Sequence, residues 1–115
     1  MTAEEARNTV LKVLEDKKAE DVITIPLAGK SSIADLMIIA SGRSARQVTA
    51  LAEHAVTALK RAGDGDLRVE GLPQADWVLI DAGDLIVHIF RPEVRSFYNL
   101  EKLWGADPGP EAVQH

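Results

Sequence analysis

The chain has 115 residues, enough for one domain with one core and too few for two. Apolar residues make up 46% and charged residues 27%, the balance of an ordinary globular protein, and the lack of cysteine excludes disulfides and thiol chemistry. The formal net charge of -5 argues against a grip on nucleic-acid phosphates, which needs a positive footprint, and favours a basic protein partner.

The opening Met1-Thr2-Ala3-Glu4-Glu5 is acidic, unlike the basic start of a secretory signal, and no apolar run approaches the ~20 residues needed to span a bilayer. The expectation is a cytoplasmic protein with no membrane contact. Thr2 to Glu5 reads as a capping box, and Ala6, Val10, Val13 and Leu14 follow at helical spacing, so a helix is expected to about Lys17. Val22 to Leu27 is rich in β-branched residues and carries Pro26, which suits an edge strand. After a turn at 28–32, Ile33 to Ala40 is apolar except for Asp35, as expected of a strand covered on both faces.

Ser44 to Gln47 forms a second capping box, and Val48, Leu51, Ala52, Ala55 and Leu59 mark one helical face. Lys60 and Arg61 suit that helix's C-terminal end, and Gly63 can supply its left-handed stop. Leu67 to Gly71 alternates as a strand. Trp77 to Ile80 and Leu85 to Phe90 read as a hairpin closed over Asp81-Ala82-Gly83-Asp84. Pro92 stands where a first helical position tolerates it, short helical structure runs to Trp104, and Gly105 stops it. The expected fold is therefore a single α/β domain over residues 1–104, in the order αββαβββα, with a mixed sheet flanked by helices. Residues 105–115, with Pro108-Gly109-Pro110, are expected to form a flexible tail.

Catalytic signatures are weak. His54, His88 and His115 lack metal-ligand spacing, and His88 in an apolar strand suits a histidine satisfied by a neighbour. Asp81 and Asp84 flank a turn whose backbone an Asp side chain can fix. Gly29-Lys30-Ser31 lacks the upstream glycine of a phosphate loop, since Thr24 stands there. Ser41 to Ser44 enters a helix and could attract an anion with Arg43, or be a plain turn and cap. No catalytic residue, metal or cofactor is assigned.

The C-terminal quarter stands apart, because it holds every aromatic residue of the chain: Trp77, Phe90, Phe97, Tyr98 and Trp104. Rigid rings mixed with Arg and Glu are the composition of a protein-binding patch. On a helix, Tyr98, Glu101 and Lys102 would share one face, and Phe97, Leu100, Leu103 and Trp104 a broader apolar one. Along the hairpin, Leu79 falls on the face of Trp77, and Val78 with Ile80 on the other; which face fills the core is open at this point.

From Ala34 onward the chain resembles the ribosomal silencing factor family, the Iojap-like proteins. The pieces that carry the resemblance are Ala34-Asp35 with Ile38 to Gly42, Ser44 to Val48, Glu70-Gly71, Asp76 to Asp81, Gly83-Asp84 and Val87 to Phe90. Arg95, Phe97 to Glu101 and Leu103-Trp104 complete it, in order and at family-like separations. The resemblance implies a nucleotidyltransferase-like fold without the catalytic metal site. It also implies binding to the large ribosomal subunit through ribosomal protein number fourteen of that subunit, blocking subunit joining and repressing translation when nutrients are short. Self-association as a homodimer off the ribosome belongs to the same expectation, while little or no direct nucleic-acid contact is expected from the charge. Carried over residue by residue, the contact surface falls on Trp77, Tyr98 and Leu100 as apolar anchors, with Arg95 and Glu101 as polar partners. Two alternatives stay open: a nucleotidyltransferase-type enzyme, which would need a carboxylate pair that does not follow the Ser41-Gly42 turn, and an RNA-binding module using Arg43, Arg46, Lys60 and Arg61.

Overall fold

The computed structural model describes residues 1–29 and 32–98, with side chains described as far as Arg95. Its elements are α1 (Ala3–Asp16), β1 (Glu20–Pro26), β2 (Leu36–Ser41), α2 (Ala45–Arg61), β3 (Arg68–Glu70), β4 (Trp77–Asp81), β5 (Leu85–Phe90) and α3 (Pro92–Tyr98), in the expected order. The expected structure beyond Tyr98, including Trp104 and the tail, lies outside the described residues.

Both long helices begin where their caps predict. The Thr2 hydroxyl accepts from Glu5 N at 3.1 Å, and Glu5 Oε1 accepts from Thr2 N at 2.8 Å. That Thr2 N–H, aided by the hydroxyl, lowers the Glu5 pKa. At α2 the Ser44 hydroxyl accepts from Gln47 N, but the reciprocal bond shifts by one residue, with Gln47 Oε1 accepting from Arg43 N at 2.7 Å. The Gln47 amide also donates to the carbonyls of Lys17 and Lys18, joining the start of α2 to the end of α1.

The sheet order is β1-β2-β5-β4-β3, with β2 and β5 parallel and the other pairs antiparallel. The crossover through α2 carries the chain to β3 at the far edge, and two antiparallel steps through β4 bring β5 back beside β2 and parallel to it. β1 takes the edge position that Pro26 requires. The strand expected from Ile33 starts at Leu36 instead: Asp35 is exposed, and the N–H groups of Asp35 and Leu36 both donate to Asp84 O.

Burial divides the sheet residues by parity. Ile38, Ala40, Val78, Ile80, Val87 and Ile89 face α1 and α2, where Val10, Leu14, Val48, Leu51 and Leu59 complete the main core. The five residues assigned to the buried face of α2 from periodicity are all fully buried. The opposite parity forms a smaller cluster of Ile25, Leu27, Ala34, Met37, Ile39, Ile86 and Phe90, with Trp77, Leu79 and Val94 packed against it. β2 and β5 are thus covered on both faces, which is why they read as near-continuous apolar runs. α1 and α2 share one face, while α3 lies at the other through Val94.

Candidate protein-docking face

The β4–β5 hairpin turns on Gly83, whose φ of 80° is the left-handed region, and Asp81 Oδ1 fixes the turn by accepting from Gly83 N at 2.9 Å. This register sets Trp77 opposite Phe90 and Leu79 opposite His88. Because Val78 and Ile80 fill the main core, Trp77 and Leu79 must project from the other face, and both are half-buried there. The face that periodicity left open is therefore assigned: Trp77 points away from the two long helices.

On that face, among the described residues, Trp77 meets the rings of Phe90 and His88. Its centroid lies 5.0 Å from that of Phe90 and 5.8 Å from that of His88, while His88 stacks on Phe90 at 5.9 Å and 15°. The indole Nε1–H donates to His88 Nδ1 at 2.9 Å. Accepting at Nδ1 requires a neutral ring, and burial of the imidazole pushes its pKa down from 6.5 to about 4. His88 is the satisfied strand histidine expected from its setting, although its partner was not foreseen. A turn centred on Gly83 and Asp84 would have supplied that signal, since it brings His88 to the face of Trp77.

The start of α3 is fastened beside this cluster. Arg91 N donates to Asp76 O, and the Arg91 guanidinium pairs with Asp76 at 2.8 Å and Glu93 at 3.4 Å. Arg95, which the resemblance implies to be a polar contact, is 9% exposed. Its Nη1 donates to Asp21 O at 2.7 Å and Ser41 Oγ at 2.8 Å, so the guanidinium works inward, tying α3 to β1 and β2. Asp21 offers that carbonyl from an irregularity in β1, where its φ is 49° and the pairing register shifts between Glu20 and Ile23. Tyr98 closes α3, and its side chain lies outside the described residues, as do Leu100 and Glu101.

The other candidate sites have structural occupants. At the start of α2, Ser44 and Gln47 take N–H groups that an anion would use, and Arg43 pairs with Glu20 at 3.2 Å. Arg43 and Arg46 stand at one end of α2 and Lys60 and Arg61 at the other, roughly 20 Å apart at 1.5 Å per residue, so they form no single patch. Among the described residues no group of three His, Asp or Glu side chains comes together to hold a metal ion. A groove of about 480 Å³ between α2 and β3 is lined by Ala52, Glu53, Val56, Thr57, Val69 and Leu72, of which Glu53 alone is ionisable. No helix among the described residues is long and apolar enough to cross a membrane.

Comparison with known proteins adds a family to this geometry. The family described as "Ribosomal silencing factor during starvation" matches residues 1–114. A ribosomal silencing factor of Zymomonas mobilis is 64% identical over 92 residues, covering 80% of this chain and 69% of that protein. A crystal structure of a Chromobacterium violaceum protein superposes with a TM-score of 0.90 at 40% identity, covering 95% of this chain and 91% of that one. A more distant relative, 32% identical over 83% of this chain and 43% of its own length, is the mouse protein named mitochondrial assembly of ribosomal large subunit protein 1. With its α/β architecture, its element order and nearly its whole length accounted for, the chain belongs to the ribosomal silencing factor family.

Proposed function

We propose that this protein docks on the large ribosomal subunit, through ribosomal protein number fourteen of that subunit, and bars the small subunit by occupying its approach. Translation is thereby repressed when nutrients are short. The action needs no chemistry: a folded domain held at the joining surface excludes its competitor by volume. The observation that carries this reading is Trp77, a half-buried indole on the sheet face turned away from the main core and framed by Asp76, Arg91 and α3. Large amphipathic rings in such settings dominate protein–protein affinity. Family membership and the large-subunit wording in the mouse relative's name support the choice of partner. The net charge of -5 suits a basic ribosomal protein. In this reading Trp77, Tyr98 and Leu100 are anchors and Glu101 a polar partner, while Arg95 holds α3 in place from within. The protein acts in the cytoplasm, is no enzyme, makes little contact with RNA and pairs with a second copy off the ribosome.

Docking that competes with intersubunit contacts needs on the order of 1,200–2,000 Å² of buried surface with a few dominant anchors. Trp77→Ala should therefore weaken binding to purified large subunits by roughly 2 kcal/mol or more and restore subunit joining in a sucrose gradient. Subunits that join normally with saturating native protein present would refute the mechanism.

A further inference from the structure

The cluster of Trp77, His88 and Phe90 contains a polar contact that docking by itself does not call for. Trp77 Nε1–H donates to His88 Nδ1 across the hairpin at 2.9 Å, and the imidazole is held flat by stacking on Phe90, itself 1% exposed. His88 is 8% exposed, so a partner protein can reach little of it, whereas the indole it holds is half-buried and reachable. The neighbours of His88 on its own face of the sheet are Ile86 and Phe90 along β5, Leu79 on β4 and Ile39 on β2. An indole lying on such an apolar surface gains similar contact area in several orientations. A directional bond selects one of them, because the N–H must point at the Nδ1 lone pair. An anchor already fixed in its bound orientation loses less freedom on docking.

We infer that His88 is a positioning residue for docking: it accepts the Trp77 indole N–H and so sets the orientation in which that ring meets the ribosomal partner. The inference rests on the docking role proposed for Trp77 and adds a residue to which the resemblance assigned no contact role.

The test uses the full chain and purified large ribosomal subunits. His88→Phe keeps a ring on Phe90 and removes the acceptor. His88→Asn removes the ring but places Oδ1 near the position of Nδ1. A His88→Leu chain repeats the loss of the acceptor, so that a phenylalanine variant unable to fold leaves the comparison standing. The Trp77 indole ¹H–¹⁵N resonance, assigned by its disappearance in Trp77→Phe, reports the bond directly. It should shift and exchange faster with water in His88→Phe and His88→Leu, and stay near its native position in His88→Asn. Binding should weaken roughly 2- to 10-fold in the first two and recover to within about twofold of native in His88→Asn. A merely structural histidine would change the melting temperature without this pattern of rescue. Native-strength binding by His88→Phe or His88→Leu, in an assay where Trp77→Ala binds weakly, would overturn the positioning role alone. Native-strength binding by Trp77→Ala would remove the docking role of Trp77 and this inference with it.

Discussion

At the scale of single residues, the face away from the two long helices is organised by two buried polar side chains, each with a specific partner. Arg95 reaches the Asp21 carbonyl because β1 departs from regular pairing there. His88 stays neutral because it is buried, and folding therefore resists its protonation. The folded pKa, about 4, lies below the ordinary 6.5, so the unfolded chain takes up the proton first as the solution is acidified. This contribution is fully present above pH 6.5 and is lost as pH falls through the window down to about 4. The gap corresponds to roughly 3 kcal/mol. Urea unfolding at pH 7 and at pH 4 should show a loss of that order, reduced in His88→Asn. An equal loss in both proteins would assign the acid sensitivity to the carboxylates instead.

At the scale of elements, the two long helices end in the same motif with different residues. After α2, Gly63 adopts φ 105°, Gly63 N donates to Lys60 O, and Asp64 N donates to Leu59 O. After α1, Lys18 takes the corresponding place at φ 63°, Lys18 N donates to Glu15 O, and Ala19 N donates to Leu14 O. A side chain in that region costs about 1–2 kcal/mol, part of which glycine returns through its freer unfolded chain. Lys18→Gly should stabilise the protein by about 0.5–1 kcal/mol, read as a higher urea midpoint with an unchanged slope; a lower midpoint would show that Lys18 makes a compensating contact. Gly71 is the opposite case. Its φ is 101°, and a Cβ there would strike the Trp77 carbonyl oxygen. Gly71→Ala should cost about 2 kcal/mol or more, and an unchanged midpoint would mean that the 71–76 segment relaxes freely. Both N-terminal caps, the Gly63 stop, the buried face of α2 and the hairpin at Gly83 were legible in the sequence, since each depends on residues within one or two turns of one another; the left-handed Lys18 was not. β2 starts three residues after the apolar run does, because Ile33 is apolar yet 66% exposed and the sheet begins only where Asp84 O can receive the backbone.

At the scale of the whole molecule, charge separates the docking reading from its RNA-binding rival. Non-specific affinity for nucleic acid comes mainly from released counterions, which requires a continuous basic footprint. The chain has a net charge of -5, and the four residues of the RNA reading are split, with Arg43 and Arg46 at one end of α2 and Lys60 and Arg61 at the other, so they make no continuous footprint. Binding to naked ribosomal RNA should be undetectable up to about 100 µM protein at physiological salt, by filter retention. Tight, salt-sensitive retention would return the RNA reading to first place.

The sequence by itself determined the elements, their order and the apolar stripes that build the main core. Helix caps, turns and periodicity are encoded by residues a few positions apart, so the chain carries them before it folds. Only the tertiary structure decided that Trp77 turns away from that core, that His88 is its hydrogen-bond partner, and that Arg95 serves the interior. The bonds responsible span 11 residues for Trp77 to His88, 54 for Arg95 to Ser41 and 74 for Arg95 to Asp21. Contacts over such separations exist only after the strands have paired, and their geometry is set by that register and not by the identity of neighbouring residues.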